Sequence, residues 1–346
     1  MNILLKNLII IGMFFMPIEL SATIKFNDIS SPVKFTEITQ KTTMSSKEIV
    51  RIVTPILMEH MSRKNYNRLY LAEAFIDFYN KNQLQYTSSI EALVSFDIKK
   101  YETEKDNGIC FSLTQDLFDR LPCSIQACKI GAILPGRYQQ KGWHLFPHTA
   151  IIIPFENPED FSDTGYILLD PNFDISTPIV LKRESQSTYI DMGKKGKWKF
   201  HLVKNKIMCY MFSNEKKNQD SSYKIYDVMI YILNEYRNSA DSALKTMIAT
   251  DRGIPIVSRD ENGKHIAHMK IDLNKRVVSS SVYERRKPLI SFEDFSSGKQ
   301  EFDREFAELL NMDIDSLNRS IRKIINNVSI LETLSEEYFL LLNSEK

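Results

Sequence analysis

The chain has 346 residues, with 45 lysines and arginines against 44 aspartates and glutamates, a formal net charge of +1, and 43% hydrophobic residues. This balance excludes the charged surface that draws a protein to nucleic acid or a bilayer, and it excludes a disordered composition, so a small molecule or another protein is the expected partner. A chain this long buries a sizeable core and divides into several structural units.

The N-terminal segment MNILLKNLIIIGMFFMPIELSAT has a lysine near its start, an apolar stretch from Leu8 to Met16 and the small residues Ser21 and Ala22. That is the layout of a secretory signal over residues 1–22, or else of a buried N-terminal helix, and the run is too short for a membrane span. No integral membrane domain is expected. The location is cytoplasmic, or secreted or delivered into another cell if the segment acts as a signal. Four cysteines, Cys110, Cys123, Cys128 and Cys209, form no CxxC pair, so a disulfide framework is not expected and free thiols fit a cytosolic destination.

From Ser45 to about Asn82 apolar residues recur at helical spacing, which predicts two helices, the first capped by Ser45 and Ser46 before Glu48 and kinked or shortened by Pro55. A third helix is predicted from Cys110 through FSLTQDLFDRL. After Pro122 the runs IGAIL, HTAIIIPF, GYILLDP, TPIVL, KWKFHLV and IMCYMF read as strands of an antiparallel sheet or small barrel. Lys194, Lys195, Lys197 and Lys199 are expected in a solvated loop. A helix is expected near Tyr226 to Ser239, then strands over 254–257, 265–273 and 277–282, and helices from about Gln300 to the end. The fold class is therefore α+β: a helical domain over 23–130, a β-rich domain over 131–222 and a mixed domain over 223–346.

Three residues at the edges of these elements carry chemistry. Cys110 in NGICFSL opens the third helix, His148 in FPHTAIII follows 38 residues later, and Asp170 in YILLDPNF lies 22 residues beyond that. A thiol near pKa about 8.5 is mostly protonated at neutral pH, so a nucleophilic cysteine needs an acidifying environment. The helix N-terminus and an imidazole supply one, and a carboxylate orients the imidazole. Gly108 suits close approach of the chain to a ligand, and the first N–H groups of the helix suit an oxyanion. No metal is expected: His144 and His148 are separated by Pro147, and His265 and His268 would point to opposite faces of a strand.

At these residues the chain resembles the arylamine N-acetyltransferases, a divergent member with a papain-like core. That family has a Gly-Gly-x-Cys-Phe-x-Leu segment opening a helix, a His-x-x-Leu-Ile-Val strand and a Tyr-Leu-Val-Asp-Val-Gly-Phe-Gly strand; here stand NGICFSL, HTAIII and YILLDPNF. The similarity runs from about Asn107 to Asp315. It implies that Cys110 takes an acetyl group from acetyl-CoA as a thioester, that His148 activates the thiol and relays protons, that Asp170 orients His148, and that a small-molecule amine accepts the acetyl group.

The chain departs from that pattern around the cysteine and after the aspartate. Asp106 and Asn107 replace a usual arginine, Ile109 replaces a glycine, and no Pro-Phe-Glu-Asn segment precedes the cysteine. Pro171, Asn172, Phe173 and Asp174 stand where the family has glycines, and side chains there should disfavour a phosphate-bearing CoA. The alternative is the same triad acting on proteins as a cysteine protease, deamidase or transglutaminase-like enzyme, in the manner of a bacterial effector.

Overall fold

The cap expected at Ser45 opens the first helix of the computed structural model. There the Ser45 Oγ accepts from the Glu48 N–H at 3.3 Å and Glu48 Oε2 accepts from the Ser45 N–H at 3.1 Å. The structure describes residues 33–34, 40–97, 107–133, 148–172, 175–185, 187–191, 196–212, 225–233, 235–236, 245, 247–250, 252–260, 264–283 and 285–344. The signal-like segment, Asp106, His144, Phe173, Asp174, Lys194 and Lys195 lie outside them.

Helix α1 runs over Ser46–Arg63, and Pro55 does not shorten it. Pro55 and Arg51, whose carbonyl the missing N–H would have met, are both exposed, so water can satisfy that carbonyl. Helix α2 spans Leu69–Asn82, as expected; α3, Ser89–Ser95, was not anticipated. Helix α4, Cys110–Arg120, begins at the cysteine. Three short strands accompany them: β1 (Val33–Lys34), β2 (Asn65–Asn67) and β3 (Asn107–Gly108).

The β-rich region supplies β4 (Cys128–Ile133), β5 (His148–Asn157), β6 (Asp160–Leu169), β7 (Ile179–Lys182), β8 (Ser187–Asp191), β9 (Lys197–Val203), β10 (Lys206–Phe212) and β11 (Ile225–Ile232). These make an antiparallel sheet of eight strands in the order β7-β6-β5-β4-β11-β10-β9-β8. Its two edge strands approach each other, the Thr188 hydroxyl donating to the Val180 carbonyl, so the sheet is barrel-like and nearly closed. Lys197 and Lys199 lie in β9, paired with β8, rather than in a loop.

Strand β11 corrects the helix expected near Tyr226. IYDVMIYI places Ile225, Val228, Met229 and Ile232 at helical intervals, but it also alternates, and pairing with β10 on one side and β4 on the other decides the outcome. Met229 and Tyr231 are buried in the barrel with Ile130, Ala132, Ile152, Leu168, Phe200 and Met211. The alternate residues of β5 and β6, Ile151, Ile153, Phe155, Ile167 and Leu169, face outward and pack on Ile49, Val53 and Leu57 of α1 and Leu117 of α4. Each such side chain contributes about 1.5–3 kcal/mol by leaving water, and together they fix α1 and α4 against one wall of the barrel.

The second sheet contains β13 (Gly253–Arg259), β14 (His265–Asp272) and β15 (Val277–Val282) where strands were expected, with β16 (Arg285–Arg286) and β17 (Ile290–Ser291) added at its edge. Strands β2 and β3 complete it, β2 pairing antiparallel with β13 and parallel with β3. A two-residue strand β12, Glu235–Tyr236, pairs with β1. Thus the first sheet takes a strand from beyond residue 222 and the second takes two from before residue 131. The chain ends in α5 (Phe292–Ser296), α6 (Arg304–Leu309), α7 (Ile314–Asn326) and α8 (Val328–Ser344). Lys323 of α7 joins α2 through Glu73 and Asp77 at 3.2 and 2.6 Å. Glu337 of α8 accepts from Ser89 Oγ and the Ile90 N–H at the start of α3. The molecule is α+β, and among the described residues no helix is long and apolar enough to cross a membrane.

Candidate active site

Cys110, His148 and Asp170 come together at one end of the barrel wall. His148 is the first residue of β5 and Asp170 directly follows the last residue of β6; the register Ile151 to Leu169 brings the start of one strand beside the end of the other. Even-numbered residues of β5 face the barrel interior, so His148 lies on the inner side, 4% exposed. Its Nε2 is 2.7 Å from Asp170 Oδ2. His148 also shares a hydrogen bond with the Cys110 side chain.

Two threonines hold the cysteine opposite this pair. Thr149 Oγ1 donates to the Cys110 carbonyl at 3.3 Å, and Thr114 Oγ1 donates to the Thr149 carbonyl at 3.2 Å, tying the first turn of α4 to the start of β5. Asn172 adds a third tie, its Nδ2 donating to the Cys110 carbonyl at 3.2 Å and to Thr114 Oγ1 at 3.0 Å. Its backbone N–H donates to Asp170 Oδ1 at 3.1 Å, an Asx turn that fixes the carboxylate. Asn172, expected to intrude on a cofactor, is turned onto α4.

Gly108 also differs in role from the expectation. A Cβ at this position would come within 2.7 Å of Ser112 Oγ and 2.9 Å of Leu113 Cδ2, so the glycine permits close packing of β3 on the first turn of α4 rather than approach to a ligand. Ile109 is the N-cap and its side chain has no oxygen; Ser112 Oγ instead accepts from the Ile109 N–H at 3.0 Å. The first-turn N–H groups therefore receive no cap from the N-cap side chain, the arrangement in which a helix N-terminus meets an anion.

The sheet brings a fourth group to the triad. Tyr231 of β11 lies opposite Ala132 of β4, and Ala132 lies opposite His148 of β5, a row across three strands on one face. Ala132 is small enough for the tyrosine to reach over it, and Tyr231 Oη donates to Asp170 Oδ2 at 2.7 Å. Burial raises the Tyr231 phenol well above its ordinary pKa, and the Asp170 charge adds to this, so it is a donor at neutral pH.

Burial alone would push the His148 imidazole down. The Asp170 charge and the hydrogen bonds to Asp170 and Cys110 outweigh it and push its pKa up to about 10. The histidine is thus held as an imidazolium between a carboxylate and the Cys110 side chain. Burial, with the Asp170 charge, raises the Cys209 thiol well above its ordinary value, and burial raises Cys128, so neither is prepared to react. All four cysteines are free.

Tyr231, Thr149 and Thr114 were not singled out from sequence. Alternation in IYDVMIYI was the one signal for Tyr231; Asn172 was read for what it displaced, not for what it bonds. No group of three metal-ligating side chains is present among the described residues. No protein-family model matches the chain and no curated protein matches it.

Proposed function

We propose that the chain is a cysteine-dependent acyltransferase in which Cys110 carries the acyl group as a thioester. The observation that carries this reading is the buried His148 imidazolium, bonded through Nε2 to Asp170 and sharing a hydrogen bond with Cys110. The Cys110 thiolate adds to the acyl carbonyl, and the first-turn N–H groups of α4 face the oxygen that gains charge. Collapse of the tetrahedral adduct breaks the bond to the donor's leaving group, which takes its proton from His148. An amine then adds to the thioester, His148 accepts the amine proton, and Cys110 leaves as thiolate with the amide formed.

By resemblance the donor is acetyl-CoA, whose thioester is close in energy to the acyl-enzyme, so the site mainly positions the reactants. Incubation with acetyl-CoA followed by intact and peptide mass spectrometry tests the reading: one acetyl group on Cys110, absent from Cys110→Ala.

The turn after Asp170 favours a second reading of the same triad. Pro171 and Asn172 replace a glycine turn, and Asn172 locks that turn onto α4, which leaves less backbone accessible to a nucleotide-bearing thioester and suits an amide of a protein substrate. Glutamine deamidation or cleavage in candidate proteins, lost in Cys110→Ala, would select this reading over the first.

A further inference from the structure

We propose that Tyr66 is a catalytic residue of the same site, its hydroxyl donating to the oxyanion that forms when Cys110 adds to a carbonyl. This rests on the acyl-transfer reading above. Tyr66 lies in β2, a strand of three residues between α1 and α2, and pairs in parallel register with Gly108 of β3, two residues before the cysteine. On its other side it pairs with Val257 of β13. Two strands therefore hold its backbone beside the N-terminus of α4.

Its bond with Arg68 leaves the hydroxyl proton of Tyr66 to donate. Arg68 Nε donates to Tyr66 Oη at 2.6 Å, and the Arg68 backbone N–H is itself anchored on the Pro255 carbonyl at 3.1 Å. A guanidinium can only donate, so Tyr66 Oη accepts this bond and has its own hydrogen to give elsewhere. The group of opposite tendency that it senses is Cys110, while the buried Arg259, two residues after Val257 and on the same face of β13, adds a second positive charge. Burial raises the phenol above its ordinary pKa; the Arg68 charge opposes this and the Cys110 charge reinforces it, so the hydroxyl keeps its proton at neutral pH.

A hydroxyl with this support is a stronger donor than a free tyrosine, because accepting from a cation polarises its O–H bond. With the first-turn N–H groups of α4 it gives the oxyanion donors from two independent elements, the pairing seen wherever charge develops on a carbonyl oxygen.

Two reagents separate this role from a structural one. p-Nitrophenyl acetate acylates a thiolate through a tetrahedral oxyanion; iodoacetamide alkylates it by direct displacement, with no oxyanion. In Tyr66→Phe the p-nitrophenolate burst should slow about 100-fold, while alkylation of Cys110 stays within about twofold of the wild type. A burst of unchanged rate overturns the proposal, as do equal losses in both reactions, which would place Tyr66 in the fold or in thiolate formation. A wild-type chain that alkylates preferentially at Cys110 but gives no burst also overturns it. If wild-type Cys110 reacts no faster than Cys123 with either reagent, the acyl-transfer reading itself fails.

Discussion

Tyr231 and His148 bond the same oxygen of Asp170: Tyr231 Oη and His148 Nε2 each lie 2.7 Å from Oδ2. The carboxylate is 0% exposed, and Oδ1 is taken by the Asn172 N–H at 3.1 Å. A fully buried carboxylate persists only when its lone pairs are met, and here three elements of the fold, β5, β11 and the turn after β6, meet them. Removing one donor leaves the charge partly uncompensated. Tyr231→Phe should therefore lower stability by about 1.5–3 kcal/mol, read as a drop in the urea midpoint without a change in slope.

Ala132 stands between those two side chains. Its methyl group is what lets Tyr231 pass over β4 to reach Asp170. Ala132→Leu should cost about 1–3 kcal/mol by overpacking and should slow alkylation of Cys110, whereas Ala132→Gly should leave the alkylation rate near that of the wild type. Rates from mass-resolved iodoacetamide labelling check both.

The His148 pair sets the alkaline limit of the site. Its folded pKa is raised to about 10 against about 6.5 in an unfolded chain. The stabilisation from the charged pair is thus fully present below about pH 6.5 and is lost as pH rises through about 10. The difference in urea midpoint between wild type and His148→Gln should shrink across that interval, with the imidazole titration followed by NMR.

His60 sets a limit on the acid side by the opposite sign. Burial holds its pKa down to about 4, with Arg120 and Lys64 pushing the same way and Asp116, 3.0 Å from Nδ1, opposing them. A buried neutral histidine contributes stability above about pH 6.5 that is lost as pH falls toward its folded pKa. His60→Gln should flatten the fall in stability between about pH 6.5 and 4, visible in a series of urea titrations.

Much of this site was legible in the order of the residues. Cys110 opens a helix, His148 opens a strand and Asp170 ends one, because apolar runs with clear period flank all three and register then brings the strand ends together. What escaped reading lies where local pattern is ambiguous or too short. Tyr231 sits in a run that fits a helix as well as a strand until β4 and β10 pair with it, and Tyr66 sits in three residues, too few for any period. Gly108 and Asn172 were read toward a ligand, yet both serve the packing of α4, a use that only the tertiary contacts reveal.

Under the proposed function Cys110 is an activated nucleophile. Site-resolved alkylation of all four cysteines by iodoacetamide near neutral pH tests it most directly, because exposure alone predicts the opposite order: Cys123 is exposed and Cys110 is 2% exposed. Cys110 should be alkylated first, far ahead of Cys123, and His148→Gln should remove the advantage. Labelling led by Cys123, with Cys110 as slow as the buried Cys209, would contradict it.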